Sequence, residues 1–369
     1  MDAARNSRVT IGGRGRGLAT PAVLAILAFL CALLYAPPVV LARPPIAGET
    51  LSGSGAGARP AADPPTVLFV SAHPDDETMF GLGRFRERGW RVSIALVTNG
   101  ESGHVVQAID AAYDSAVDKD VLVEKLPGPG TWLTHPPSGP RLRRITTPVA
   151  LARERRAEFL ASQAHNRVAT VSFLSGLRRC DFEDSWDDGV TKWDRDVLVA
   201  RLAAAARRVR PDVVITLNPG ETWAHPQHVG LGRIVQAMYE EGDFDTPGRE
   251  RPLLYGIREH GWYSESLIPQ AGDVTFDRTA RSTVLGGTYA HYWTAATSCY
   301  VSQASHPVWF AARVGAGILP GYGAVDLIRR LDACARRPGL EALFRQYPPD
   351  EAAMRRLPLR PRVVELSGT

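Results

Sequence analysis

Short, nearly uninterrupted apolar runs separated by stretches of helical character are the feature that most constrains what this 369-residue chain can fold into. The runs are TVLFVSA (66–72), RVSIALVTNG (91–100), VATVSFLSG (168–176), VVITLNP (213–219) and LLYGIREHG (253–261). Segments of this length and polarity suit strands covered on both faces, as parallel sheets require. Helical stretches lie between them, from about Glu77 to Arg88, Pro148 to His165, Asp194 to Arg210 and His225 to Glu241. In the third of these Val197, Leu198, Leu202, Ala205 and Val209 share one face, and Pro211 ends it. The alternation predicts an α/β fold: a doubly wound, mostly parallel, Rossmann-like sheet of strand order 3-2-1-4-5 with helices on both faces. Residues 101–146 form a long irregular connection of the kind that often lines a site, and the stretch beyond about 270 has helical pieces without a clear period.

Ahead of the first strand the composition changes. Residues 1–17 hold four arginines against one aspartate, and Leu18–Ala42 is an apolar run without a single charge. Val40-Leu41-Ala42 offers small residues for signal-peptide cleavage before Arg43, and Pro37 and Pro38 interrupt the run, favouring cleavage over an uncleaved anchor. Either outcome predicts an extracytoplasmic protein, secreted or held on the outer face of the membrane through residues 18–42. Residues 43–65, rich in Gly, Pro, Ala and Ser, read as a flexible linker. The expected organisation is then a catalytic domain over 66–270 and a C-terminal extension over 271–369 packing on it.

Charge excludes one class of partner. The net charge is +4, but the N-terminal arginines leave only +1 for everything from Arg43 onward. Nucleic-acid binding needs a concentrated basic surface, and Arg141–Arg144 and Arg207–Arg210 lack interleaved aromatics. Once Cys31 leaves with the export segment, Cys180, Cys299 and Cys334 remain, an odd number without close spacing. They form neither a disulfide framework nor a Cys-type metal site; one disulfide and three thiols both fit. Nothing in the sequence bears on oligomeric state.

The first strand runs into Ser71-Ala72-His73-Pro74-Asp75-Asp76-Glu77, where a dinucleotide-binding fold would carry a glycine fingerprint. It carries instead a histidine and two adjacent carboxylates, with Pro74 stiffening the turn. The fourth strand runs into Gly220-Glu221-Thr222-Trp223-Ala224-His225-Pro226-Gln227-His228. In a 3-2-1-4-5 sheet the first and fourth strands are neighbours, so both turns open onto the crevice beyond their carboxyl ends. Imidazole and carboxylate together suit Zn²⁺, and three protein ligands leaving an open position is the pattern of a catalytic site. Each motif alone is usually a structural histidine or a solvated turn; their convergence is what points to a metal.

AHPDDE (72–77), TNGESG (98–103) and HPQHVG (225–230) resemble the signature blocks of the PIG-L/LmbE-like zinc N-deacetylases, with Arg155 and Glu158 also fitting; the similarity spans roughly 66–262. The resemblance implies that His73, Asp76 and His228 are zinc ligands, that Asp75 is the general base toward the attacking water, and that His225 assists the oxyanion or protonates the leaving amine. It implies a substrate carrying an N-acetylated amino sugar, in a glycan, a glycolipid or a natural product. A broader amidase or acylase and a non-catalytic carbohydrate-binding relative are the alternatives; the presence of Asp75 disfavours the second. Three residues depart from the pattern: Gln227 replaces an aspartate, Trp223 stands where some members have tyrosine, and Tyr300 where many have histidine. A neutral amide beside His225 predicts a weaker imidazolium there than an aspartate would sustain.

Overall fold

The computed structural model describes residues 63–101, 148–177, 181–185, 188–221, 224–258, 272–297, 299–300, 325–332 and 338–367. These fall within one of the two units into which the chain divides, Gly53–Thr369; the other unit, Met1–Ser52, and with it the apolar run 18–42, lies outside the described residues. The 101–146 connection lies outside them too, apart from Glu101. No helix among the described residues is long and apolar enough to cross a membrane.

Among the described residues, eight strands make one sheet. β1 (Thr66–Ser71) is flanked by β2 (Arg91–Leu96) and β4 (Val213–Leu217), β3 (Thr170–Phe173) lies outside β2, and β5 (Leu253–Ile257) outside β4, all parallel. The 3-2-1-4-5 order read from the sequence is therefore present. The C-terminal region widens it at both ends: β8 (Arg362–Glu365) adds parallel to β3, while β7 (Val325–Arg330) pairs antiparallel with β5 and β6 (Asp273–Asp277) with β7.

Alternation along β1 explains why the sheet is covered on both sides. Leu68 and Val70 face one core with Leu198, Leu202, Leu231 and Val235, from α3 (Arg195–Val209) and α4 (Pro226–Glu241). Val67 and Phe69 face another with Phe85, Trp90 and Phe159, the last from α2 (Pro148–Asn166). Successive strand residues point to opposite faces, so a strand apolar at every position must be sandwiched. α3 begins where the Asp194 side chain accepts the Val197 amide and ends at Arg210 in the left-handed region, immediately before Pro211.

The expected helix from Glu77 to Arg88 is broken. A 3-10 turn, Asp76–Met79, is separated from the short helix α1 (Gly83–Arg86) by Phe80, whose backbone is extended. The cause is local: Asp76 folds its carboxylate back onto the end of β1, and Phe80 turns inward, its ring 5.0 Å from that of Phe276. The C-terminal region also contributes α5 (Tyr289–Thr297), α6 (Leu340–Gln346) and α7 (Glu351–Arg356). β8 is joined to the rest by Arg156 on α2, which gives Glu365 two hydrogen bonds of 3.1 Å and donates through Nε to Asn99 Oδ1 at 2.8 Å.

α4 approaches the sheet closely because Gly232 lets it. A Cβ on Gly232 would lie 2.3 Å from the carbonyl oxygen of Leu217, at the carboxyl end of β4. That contact seats the first turn of α4, with its histidines, above the end of β1.

Candidate metal centre

Asp76 is held first by the backbone. Its Oδ2 accepts the amides of Ala72 and His73, at 2.7 and 2.8 Å, and lies 3.3 Å from the Ser71 hydroxyl. That leaves Oδ1 to face 3.4 Å toward His73 Nδ1 and 3.1 Å toward His228 Nε2. The two ring nitrogens are themselves 2.8 Å apart. All three side chains are buried. Donor atoms bound to a tetrahedral ion at about 2.0–2.1 Å lie about 3.3 Å from one another, so this triangle is that of a ligand set slightly contracted.

The histidines arrive on α4. His225 is its N-cap, Pro226 occupies the first helical position, and His228 follows one turn on. His225 Nδ1 accepts the Gln227 amide at 3.1 Å. His73, His225 and His228 each bring a ligand atom within 4.8 Å of the others. Because the His225 nitrogen nearest the backbone is engaged in capping, Asp76 completes the tighter group with His73 and His228.

The orientation of Gln227 decides which nitrogen of His73 is bare. Gln227 Nε2 donates to the carbonyl oxygens of Glu183 and Gly189, at 2.7 and 2.9 Å. With both N–H groups spent on carbonyls, the amide cannot be flipped, and its Oε1 accepts from His73 Nε2 at 2.7 Å. A neutral His73 therefore turns the lone pair of Nδ1 toward His228 Nε2. Two such nitrogens at 2.8 Å need a proton or a cation between them, and the carboxylate beside them favours either. The residues present thus fit a metal ion.

Charges around the triangle follow the same logic. Burial opposes the charged form of His73, yet Asp76 and Asp184 outweigh it and hold its pKa well above the ordinary value. Asp76, despite burial, is held well below its usual range by His228 and His73. Burial raises Asp75 to about 6, with the Asp76 charge acting in the same direction and Arg155 against both. Arg155 Nη2 meets Asp75 Oδ2 at 2.8 Å and also reaches the Pro74 carbonyl. Burial first, then the positive charges of His73 and His228, pull His225 down to about 2. Its surroundings favour the neutral ring, whose capped Nδ1 leaves the proton on Nε2.

Every site residue named from the sequence and described lies in this cluster: His73, Asp75, Asp76, His225 and His228. Arg155 and the first residues of the TNGESG block also come here, with Glu101 Oε1 accepting the Asp184 amide at 3.1 Å. Sequence reading missed Asp184, whose Oδ1 lies 3.3 Å from His73 Nε2 and whose Oδ2 lies 3.9 Å from Arg155 Nη1. It sits in an acidic stretch, DFEDSWDD, that looks like a solvated loop; its one signal is its place just beyond the carboxyl end of the third strand. Two of the three departures acquire a location. The Gln227 side chain contacts His73, while its backbone amide donates to the His225 ring. Tyr300 is fully buried with its hydroxyl on Glu77 Oε1, which also accepts from Gln163 at 2.7 Å; it belongs to the core on the α2 face. Trp223 lies outside the described residues, as do Cys180 and Cys334, while Cys299 is buried.

Comparison with known proteins agrees with this geometry. Residues 68–239 match the family model described as PIG-L, GlcNAc-PI de-N-acetylase. A 1D-myo-inositol 2-acetamido-2-deoxy-alpha-D-glucopyranoside deacetylase of Mycolicibacterium gilvum is 29% identical over 186 residues, covering 50% of this chain and 57% of that protein. The chain thus spans little more than half the length of such curated relatives. Among solved structures, an N,N'-diacetylchitobiose deacetylase from Pyrococcus horikoshii aligns at 16% identity over 76% of this chain and 89% of its own, TM-score 0.42. The 4-carboxy-2-hydroxymuconate hydratase GalB from Pseudomonas putida aligns at 14% over 74% and 99%, also at 0.42. Those two structural likenesses are too low to add to the fold described above. The matched region holds most of the first strand and all of the second, third and fourth, with both histidine-bearing turns and the Asp75–Arg155 pair, and it is over residues 68–239 that the chain is similar to the PIG-L family.

Proposed function

We propose that the protein is a zinc-dependent N-deacetylase that hydrolyses the acetamide of an N-acetylated amino sugar outside the cytoplasm. The observation that carries this reading is the triangle of His73 Nδ1, Asp76 Oδ1 and His228 Nε2, with edges of 2.8, 3.1 and 3.4 Å, beside an Asp75 held on Arg155. His73, Asp76 and His228 would hold the ion. An ion held there would supply Lewis-acid chemistry, polarising the amide carbonyl and lowering the pKa of a water toward neutrality.

The rest of the chemistry falls to the chain's own groups. Asp75, with its carboxylate oriented by Arg155, accepts the proton the attacking water loses as the new C–O bond forms. The carbonyl oxygen gains negative charge at that moment. His225, neutral and carrying its proton on Nε2, is a donor for that oxygen, as a neutral imidazole at a helix N-terminus can be. The C–N bond then breaks, the amine leaves with the proton Asp75 took up, and acetate and a free amino sugar are the products. The relatives' names motivate the sugar, and the N-terminal arginines followed by an uncharged apolar run motivate the location.

The test is direct. Protein purified from Arg43 onward should bind about one zinc per chain, following the three-ligand open-site rule, and release acetate from N-acetylglucosaminyl compounds. Release from simple N-acyl amino acids but from no sugar would favour the broader amidase, and metal binding without any turnover the non-catalytic relative. Full activity in a metal-free preparation would overturn the reading.

A further inference from the structure

We infer that Gln227 is a positioning residue that fixes how His73 presents itself to the metal, in the place where the family pattern has an aspartate. The inference rests on the metal reading above and goes beyond it by assigning a role to a residue that the signature does not contain. Its basis is directional. The Gln227 side-chain N–H groups are both spent, on the carbonyls of Glu183 and Gly189 at 2.7 and 2.9 Å, so Oε1 alone can face His73 Nε2 at 2.7 Å. An amide oxygen only accepts, so the Nε2 of His73 must carry a proton and Nδ1 is the nitrogen left for the ion.

Asp184 Oδ1, 3.3 Å from the same Nε2, shares that proton at longer range. The His73 ring is therefore gripped on its outer edge by an amide and a carboxylate together. A metal-bound histidine ordinarily donates its second N–H to a carboxylate or a carbonyl, and loss of that partner typically weakens metal affinity about 10–100-fold. Here the helix that supplies ligand His228 supplies, one residue earlier, the group that orients ligand His73. The two carbonyl contacts make a second connection, tying segment 183–189 to the first turn of α4. The neutral amide also keeps the cluster from gaining another carboxylate beside Asp75, Asp76 and Asp184.

Two substitutions separate orientation from loop anchoring. Gln227→Met removes both the acceptor and the donors; Gln227→Glu keeps an oxygen for His73 but loses the N–H groups that hold the carbonyls. Zinc affinity, measured by competition with a chromophoric chelator, should fall about 10–100-fold in Gln227→Met and stay within about threefold of the wild type in Gln227→Glu. Both variants should melt at lower temperature. In zinc-loaded wild-type protein, ¹⁵N spectra should show one histidine protonated at Nε2 with its Nδ1 bound, and His73→Ala should remove that signal. Equal affinity loss in both variants would reduce Gln227 to a loop anchor and overturn the inference. So would undiminished affinity in Gln227→Met, or a His73 bound through Nε2. A wild-type protein with no zinc affinity would bring down the metal reading itself, a result distinct from any of these.

Discussion

Gly100 lies so close to the guanidinium of Arg155 that a Cβ on it would stand 2.3 Å from Nη1 and 2.5 Å from Cζ. Its φ of 69° places it, in addition, in the left-handed region that side chains disfavour. The glycine of the TNGESG block thus opens the space through which α2 delivers its arginine to Asp75. Gly100→Ala should displace Arg155 from Asp75 and destabilise the fold by about 1–3 kcal/mol. Turnover should fall while zinc content stays near that of the wild type. Denaturant unfolding and metal analysis check the two halves separately, and an unchanged kcat would show that Arg155 does not serve Asp75.

Neighbouring aspartates should give opposite phenotypes. Asp75→Asn keeps the ligand triangle and removes the proton acceptor, so metal should remain and turnover should drop by about 10²–10⁴-fold. Asp76→Asn alters the group whose one oxygen holds two backbone amides and whose other faces both histidines, so it should lose metal first. Metal analysis beside acetate release distinguishes them. A swapped pair of phenotypes would mean that the two roles are exchanged.

Gly232→Ala tests the seat of α4. The added methyl meets the Leu217 carbonyl oxygen at 2.3 Å and the Pro219 nitrogen at 3.0 Å, both backbone atoms that cannot rotate away. The helix must lift from β4, at about 1–3 kcal/mol, and His228 should lift with it. The measurable outcome is a lower melting temperature together with weaker zinc binding, although position 232 touches no ligand. A variant as stable as wild type would show that the approach of helix to strand is looser than these distances imply.

A pH dependence of stability should come from His165, away from the metal centre. Burial, and then the charge of Arg86, lowers its pKa from 6.5 to about 4, with its ring stacked 4.6 Å from Tyr292. Between those two values the unfolded chain binds a proton that the folded chain does not, so stability falls as pH drops through that window. The loss amounts to about 2–3 kcal/mol. His165→Phe keeps a ring against Tyr292 and should lose less stability than wild type between pH 6.5 and 4. Parallel unfolding curves for the two proteins across that range would refute the assignment.

How much of this was legible in the sequence varies with the range of the interactions involved. β1 through β5 announced themselves because strands covered on both faces must be apolar at nearly every position, and their order then brought His73 and His228 together. The helix expected over Glu77–Arg88 failed because periodicity registers apolar spacing, whereas Asp76 bends its own turn by a side-chain to backbone bond. β6, β7 and β8 were invisible. RVVE at 362–365 is short, and three of its residues are exposed at the sheet edge, among them Val363. Asp184 and the grip of Gln227 on His73 depend on loops meeting in space, and neither leaves a spacing that a sequence pattern can register. Tyr300, standing where many relatives have histidine, satisfies Glu77 in the core, a pairing across more than two hundred residues that no local pattern carries.

The pairing of β3 with β8 sets a condition on biosynthesis. Thr170 finds its outer partner in Arg362, so the sheet edge beside β3 stays open until the chain has left the ribosome at least as far as Arg362. Arg156 adds to this delay, because the residue that holds Asn99 is itself anchored by Glu365. Contacts between such distant parts of a chain form late and slowly, and an open strand edge invites pairing with other molecules in the meantime. A chain cut before Arg362 retains every ligand of the metal centre, and what it should lose is soluble yield.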